Sequence, residues 1–251
     1  MLTPKNLKNE TIDSANFKMM IYGESDSGKT SAIKYLPGKT ILCDLDSSSL
    51  VLSGTDIDVI SKPMLIANPS PVTMKFAKDN NIQLDSPRCL LKTFYQFCVE
   101  NIDSYDSIVI DNFSAYQRDC EVYWSKHISN KMQVYGKLQE DLLDTFFEFL
   151  KLDKNIIFTA WRDTATFTHF DNTITNCYVP KIREKIRDDI IGNLNVVAYA
   201  TKAEQKENNK IRTVRGFCLS STSQYIAKNQ LDSRTSCYQE DLFKFGEVKK
   251  K

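Results

Sequence analysis

One stretch of the chain, Gly23-Glu24-Ser25-Asp26-Ser27-Gly28-Lys29-Thr30, has the residue types and spacing needed to hold a row of phosphates. It fits the pattern G-x-x-x-x-G-K-[ST] at every position. Gly23 and Gly28 let the backbone turn tightly, so the N–H groups from Glu24 to Ser31 can converge on phosphate oxygens. Lys29 is placed to reach the β- and γ-phosphates, and the Thr30 hydroxyl to sit on Mg²⁺. A glycine-rich surface turn is the competing explanation. The flanks argue against it, because Phe17 to Tyr22 reads as a buried strand and Thr30 to Leu36 as a helix. Strand, loop and helix in that order is what this chemistry requires.

Three acids and a switch position complete the candidate chemistry. Asp111 ends the apolar run Ser107-Ile108-Val109-Ile110, the Walker B pattern of an acid at a strand end orienting Mg²⁺. It could instead cap a helix beginning at Asn112-Phe113-Ser114. Asp44 and Asp46 flank Leu45 at the end of another run. Alternate residues of a strand point the same way, so both could face a nucleotide, and one could polarise the attacking water. The following Ser-Ser-Ser is also ordinary turn composition. Trp161-Arg162 closes the run Asn155 to Ala160, where a polar residue can sense the γ-phosphate and relay it onward; Trp161 could as well be core.

Two further segments interleave rings with cations, a composition suited to stacking on bases and following phosphates. Residues 116–137 carry Arg118, Trp124, Lys126 and Lys131. Residues 162–185 carry Phe167, His169 and Phe170, with Lys181, Arg183 and Lys185. The alternative is core aromatics beside a solvated charged face.

The elements needed to position these residues can be read from periodicity. Strands are predicted at 17–22, 40–44, 57–60, 107–111, 155–160, 195–200 and 214–219. Helices are predicted at 89–102, 113–129, 136–152 and 182–192. Residues 61–87, with Pro63, Pro69, Pro71 and Pro87, read as a meandering connection, and 164–179 as a hairpin or loop. Continuous apolar strands alternating with amphipathic helices predict an α/β fold, a mostly parallel central sheet with helices on both faces. Ligands bind such sheets at the carboxyl ends of the strands, so the phosphate loop, Asp46, Asp111 and Arg162 should converge on one edge. The division expected is a polar segment 1–16, a domain over 17–230 and a charged tail over 231–251.

Composition narrows the class. The 251 residues include 33 basic and 32 acidic side chains, a balance that excludes a uniformly basic nucleic-acid coat but not a local basic groove. Seven scattered cysteines without a C-x-x-C pair, and only two histidines, argue for free thiols rather than a disulfide scaffold or a zinc site. No apolar stretch has a membrane helix's length, and the start of the chain lacks a signal-peptide run, so a soluble cytoplasmic protein is predicted.

The order Gly-Glu-Ser-Asp-Ser-Gly-Lys-Thr, Ile-Leu-Cys-Asp-Leu-Asp, Ile-Val-Ile-Asp-Asn and Ile-Ile-Phe-Thr-Ala-Trp-Arg resembles the RecA-type ATPase core, more narrowly the phage-encoded nucleotide-binding P-loop proteins that include RecA-like single-strand annealing proteins. Gln224 to Asn229 is similar to that group's tyrosine, apolar, Ala-Lys-Asp-Arg stretch. The resemblance implies a three-layer RecA-like P-loop NTPase that binds ATP and Mg²⁺. Asp46 falls where that core has its catalytic glutamate, Asp111 matches Walker B, and Trp161-Arg162 occupies the switch position. The loops after Asp111 and Trp161 correspond to DNA-contacting loops, and Lys228 to a contact made in trans. A homo-oligomer on single-stranded DNA follows, serving recombination or annealing in a phage-infected host cell, with a single-strand-binding protein or helicase as further partners. Aspartate at 46 has a shorter reach than glutamate, which implies slow hydrolysis. The rival expectations are a small-molecule or nucleotide kinase, with 181–188 as its lid, and a helicase-loader-like adaptor gated by nucleotide.

Overall fold

The structure is a computed structural model that describes residues 16–168, 173–207 and 210–245. Strands and helices follow as β1 (Lys18–Gly23), α1 (Lys29–Ala32), β2 (Thr40–Asp44), β3 (Ile57–Ser61), α2 (Lys62–Ala67), α3 (Pro71–Asn80) and α4 (Pro87–Glu100). Next come β4 (Ser107–Asp111), α5 (Phe113–His127), α6 (Lys131–Leu150), β5 (Asn155–Thr168), β6 (Ile174–Pro180) and α7 (Glu184–Gly192). The chain closes with β7 (Val196–Glu207), β8 (Lys210–Cys218), β9 (Lys228–Asn229) and β10 (Ser236–Tyr238).

The strands form one sheet in the order β10-β8-β7-β1-β5-β4-β2-β3, with β6 added to β5 and β9 to β7. The centre, from β7 to β3, is parallel. β8 and β10 extend it antiparallel at one side, and β6 and β9 also pair antiparallel. Alternation along β1 shows why the strands are apolar throughout. Met20 and Tyr22 enter one core with Phe113, Phe146 and Phe158, under α2 and α4 to α7. Met19 and Ile21 enter a second core with Ile33, Leu242 and Phe243 on the opposite face. A strand buried on both faces has no polar side to show.

Three expectations are corrected. Residues 61–87 are not a meander but hold α2 and α3. Their prolines were read as breakers, yet Pro63, Pro71 and Pro87 occupy first-turn positions of α2, α3 and α4, where no N–H is needed. Ser70 and Ser86 cap α3 and α4 by accepting from Thr73 N and Cys89 N. The helix after the phosphate loop is only α1 with a 3₁₀ turn at Ile33–Tyr35, cut short before Pro37 and Gly38. The segment from 231 is no tail as far as Phe245. β10 extends the sheet, and Leu242, Phe243 and Phe245 are buried. Charged residues between the apolar ones hide their burial, and a sheet face with only the short α1 and two 3₁₀ turns over it needs them as cover. Among the described residues, no helix is long and apolar enough to cross a membrane.

Candidate nucleotide-binding site

β1 runs straight into the phosphate loop, and the fold makes both glycines necessary. A Cβ on Gly23 would lie 2.7 Å from Ser27 Oγ and 2.8 Å from the Ala200 carbonyl oxygen. Gly28 has φ +96°, a conformation that other residues rarely adopt. Within the loop Ser27 Oγ donates to the Glu24 carbonyl at 2.8 Å. The buried Lys29 Nζ donates to the Glu24 and Gly23 carbonyls at 2.6 and 3.1 Å. Burial lowers the Lys29 pKa, while Asp111, Asp46 and Glu24 oppose that shift.

β4 delivers Asp111, fully buried, to the same edge. Its carboxylate accepts from Thr30 Oγ1 and Ser48 Oγ, each at 2.8 Å, and from Thr159 Oγ1. Burial pushes its pKa up, with Asp46 adding to the effect and the hydroxyl donors opposing it. The capping alternative is settled by its neighbour, because Asn112 caps α5 by accepting from Ser114 N at 2.9 Å and so leaves Asp111 facing Thr30.

Asp44 and Asp46 do not face the same way. β2 ends at Asp44, so strand alternation stops there. Asp44 turns back to accept from Ser48 N, Ser49 N and Ser49 Oγ, holding the turn that follows. Asp46 lines the cavity, and its Oδ1 is buried with no hydrogen-bond partner.

That cavity, about 610 Å³, is lined by Lys29, Thr30, Asp46, Ser48, Trp161 and Arg215. Its oxygen donors suit a small hard cation. Thr30, Asp111 and, one bond further out, Ser48 would hold Mg²⁺ together with waters and phosphates, as that ion prefers. Bound there, Mg²⁺ would neutralise charge on the phosphates.

Trp161 and Arg162 were expected at a strand end. β5 instead continues to Thr168, leaving its partner β1 at Trp161 and pairing β6 from Arg162 onward. The two side chains part there. Trp161 faces the cavity. Arg162 makes an ion pair with Glu24 of the phosphate loop, lies 4.0 Å from the Tyr178 ring centroid and donates to Tyr199 OH at 3.4 Å. The phosphate loop is thereby tied to the β5–β6 hairpin.

The expected nucleic-acid residues separate. Arg118 lies over the Trp161 ring and beside Asp119. Lys126 and Lys131 are exposed at the α5–α6 turn, and Phe167 is exposed on the hairpin. His169 and Phe170 lie outside the described residues. Trp124 is half-buried, with its Nε1 donating to Asp141 at 2.7 Å and the Tyr123 ring edge-on to it at 5.0 Å. Burial pushes Asp141 up to about 6 despite that bond. A carboxyl raised above its unfolded value near 4 binds its proton more readily when folded, so its contribution to stability falls as pH rises from about 4 through about 6. Asp141→Asn is expected to remove about 2–3 kcal/mol of that fall, read from urea melts of both proteins across the window. Lys228 Nζ donates to the carbonyls of Ile191 and Gly192 at the end of α7. The span 181–188 enters α7, where Ile186, Arg187 and Ile190 are buried, so it is a packed helix rather than a free lid.

Sequence reasoning missed five residues around the loop. Thr159 had a signal, a polar residue inside the apolar run of β5. Ser48 sat in ordinary turn composition. Lys202 and Arg215 both pair with Asp26, at 3.1 and 3.0 Å, and hold its carboxyl below the usual range. Gln239 Nε2 donates to the Gly28 carbonyl and Ser31 Oγ, each at 2.8 Å. Nothing in their sequence neighbourhoods points to the loop.

A glycine-bound loop, a buried lysine and a threonine–aspartate pair at the carboxyl edge of a parallel sheet define a P-loop nucleotide site on a mostly parallel α/β fold. The AAA domain family model matches residues 15–231, and the chain belongs to that family of P-loop ATPases. No curated protein matches it. Among solved structures, a KaiC-like protein from the hyperthermophilic archaeon Pyrococcus horikoshii OT3 is similar at 14% identity and a TM-score of 0.43, over 80% of this chain and 78% of that one.

Proposed function

We propose that this chain is an ATP- and Mg²⁺-dependent switch that grips single-stranded DNA as a homo-oligomer and hydrolyses ATP slowly, in phage recombination or annealing. One observation carries the DNA half, a cleft of about 660 Å³ between the β5–β6 hairpin and α7. Lys181, Arg183, Lys185 and Arg187 line it against the acids Asp163 and Glu184. The ammonium and guanidinium groups that line the cleft suit an anion such as a phosphodiester. The cleft adjoins the hairpin that Arg162 ties to Glu24, which gives nucleotide a route to it. Arg183 also packs over the ring of Tyr135 in α6, the helix that begins at Lys131.

The test is anisotropy of labelled single-stranded DNA at low salt, with and without ATP. ATP is expected to tighten binding about tenfold or more. Lys29→Ala should abolish that gain along with ATP binding, and Arg183→Glu should weaken DNA binding in both states. Absence of DNA binding in either state removes the DNA half and favours the adaptor reading, in which the hairpin meets a protein.

A further inference from the structure

The phosphate loop carries two acids of its own, Glu24 and Asp26, which is an unfavourable way to greet an anion. Each is neutralised by strand cations, Glu24 by Arg162 and Asp26 by Lys202 and Arg215. The second pair has a geometry of its own. Lys202 of β7 and Arg215 of β8 are directly opposite each other in the antiparallel ladder. Like charges so placed repel, and an anion between them relieves the repulsion. Asp26 supplies that anion from the loop tip, where its side chain is 69% exposed. Ion pairs so exposed are weak and easily exchanged.

Arg215 is also poised for more than Asp26. Its stem lies against Gly28, since a Cβ there would come within 2.6 Å of Arg215 Cδ. Its Nε is buried with no hydrogen-bond partner, and the side chain lines the same cavity as Lys29, Thr30 and Asp46. A guanidinium fork matches phosphate oxygens better than it matches a single exposed carboxylate oxygen.

We propose that Arg215, with Lys202 beside it, is a phosphate ligand supplied by the same subunit, and that Asp26 is a latch that holds both until the nucleotide's phosphates replace it. The inference rests on the nucleotide-binding reading of the site and adds to it the residues that meet the phosphate chain from the β7–β8 side.

The latch makes the two partners of one ion pair act with opposite signs. Arg215→Ala is expected to weaken binding of a non-hydrolysable ATP analogue about tenfold, because a charge-assisted contact is lost. Asp26→Asn is expected to tighten it about threefold, because the competitor for Arg215 and Lys202 is removed. A pair that merely props the loop would make both substitutions weaken binding. Titration calorimetry on wild type, both variants and Lys29→Ala reads this, with thermal melts to confirm folding. Weakening by Asp26→Asn, or unchanged affinity in either variant, overturns the latch. If the wild type itself does not bind the analogue, the nucleotide reading falls instead, and the two failures are distinguishable.

Discussion

Asp46→Asn is expected to slow ATP hydrolysis about 10²- to 10³-fold while leaving ATP affinity within about threefold. The expectation follows from what each acid at this edge already does. Asp111 is committed to the Thr30, Ser48 and Thr159 hydroxyls, the arrangement of a cation support. Asp44 is committed to the Ser48–Ser49 turn. Asp46 alone of the three has a buried oxygen with no partner, and it lines the cavity. A buried carboxylate oxygen left unpaired is unfavourable, and among the hydrogen bonds of the described residues nothing offsets it. A water held for attack on the γ-phosphate would satisfy it, and asparagine can hold that water but not accept its proton. Asp44→Asn serves as the control. It should lower thermal stability by loosening the turn, with any loss of rate following the loss of folded protein. Steady-state turnover paired with analogue binding separates these outcomes. A fall in affinity that accounts for the fall in rate would make Asp46 a structural residue.

What could be read in the chain and what could not divides along a physical line. The phosphate loop, β4 and Asp111 were legible because a few contiguous residues carry both the strand signal and the chemistry. The two-sided burial of β1, β2 and β4 was legible because it forbids polar residues along the run. Asp44 and Asp46 look equivalent in sequence, and only the end of β2 between them decides that one turns into the loop and the other into the cavity. The prolines of 61–87 were misread because proline signals a break in the middle of a helix and a start at its first turn, and the letter alone does not say which. Arg215, Lys202 and Gln239 reach the loop from roughly 175 to 210 residues away through an antiparallel extension of the sheet. No local pattern encodes a register at that distance.

The second large effect is expected from the end of the chain. A protein ending at Gln230 should lose cooperative folding. The segment removed contains Leu242, Phe243 and Phe245, all buried, with the Phe245 ring 5.0 Å from that of Phe17. Burying three side chains of this size contributes about 5–9 kcal/mol, as much as the whole margin of many domains. Their removal would also expose Met19, Ile21 and Ala198 on the face of the sheet that only α1 and the neighbouring 3₁₀ turns would still cover. The same deletion takes β10 from the ladder of β8, the strand that carries Arg215, and removes Gln239 from the Gly28 carbonyl. Stability and nucleotide binding should therefore fail together in the truncation, which by itself would not say which loss came first. Point variants separate them. Phe245→Ala should cost about 3 kcal/mol in urea melts and leave ATP affinity of the folded protein unchanged. Gln239→Ala should leave the melt nearly unchanged and weaken ATP binding a few-fold, because the loop loses a side-chain strut and no core. A truncated chain that melts cooperatively at the full-length temperature would show that the second face of the sheet is covered by something other than its own C-terminal segment.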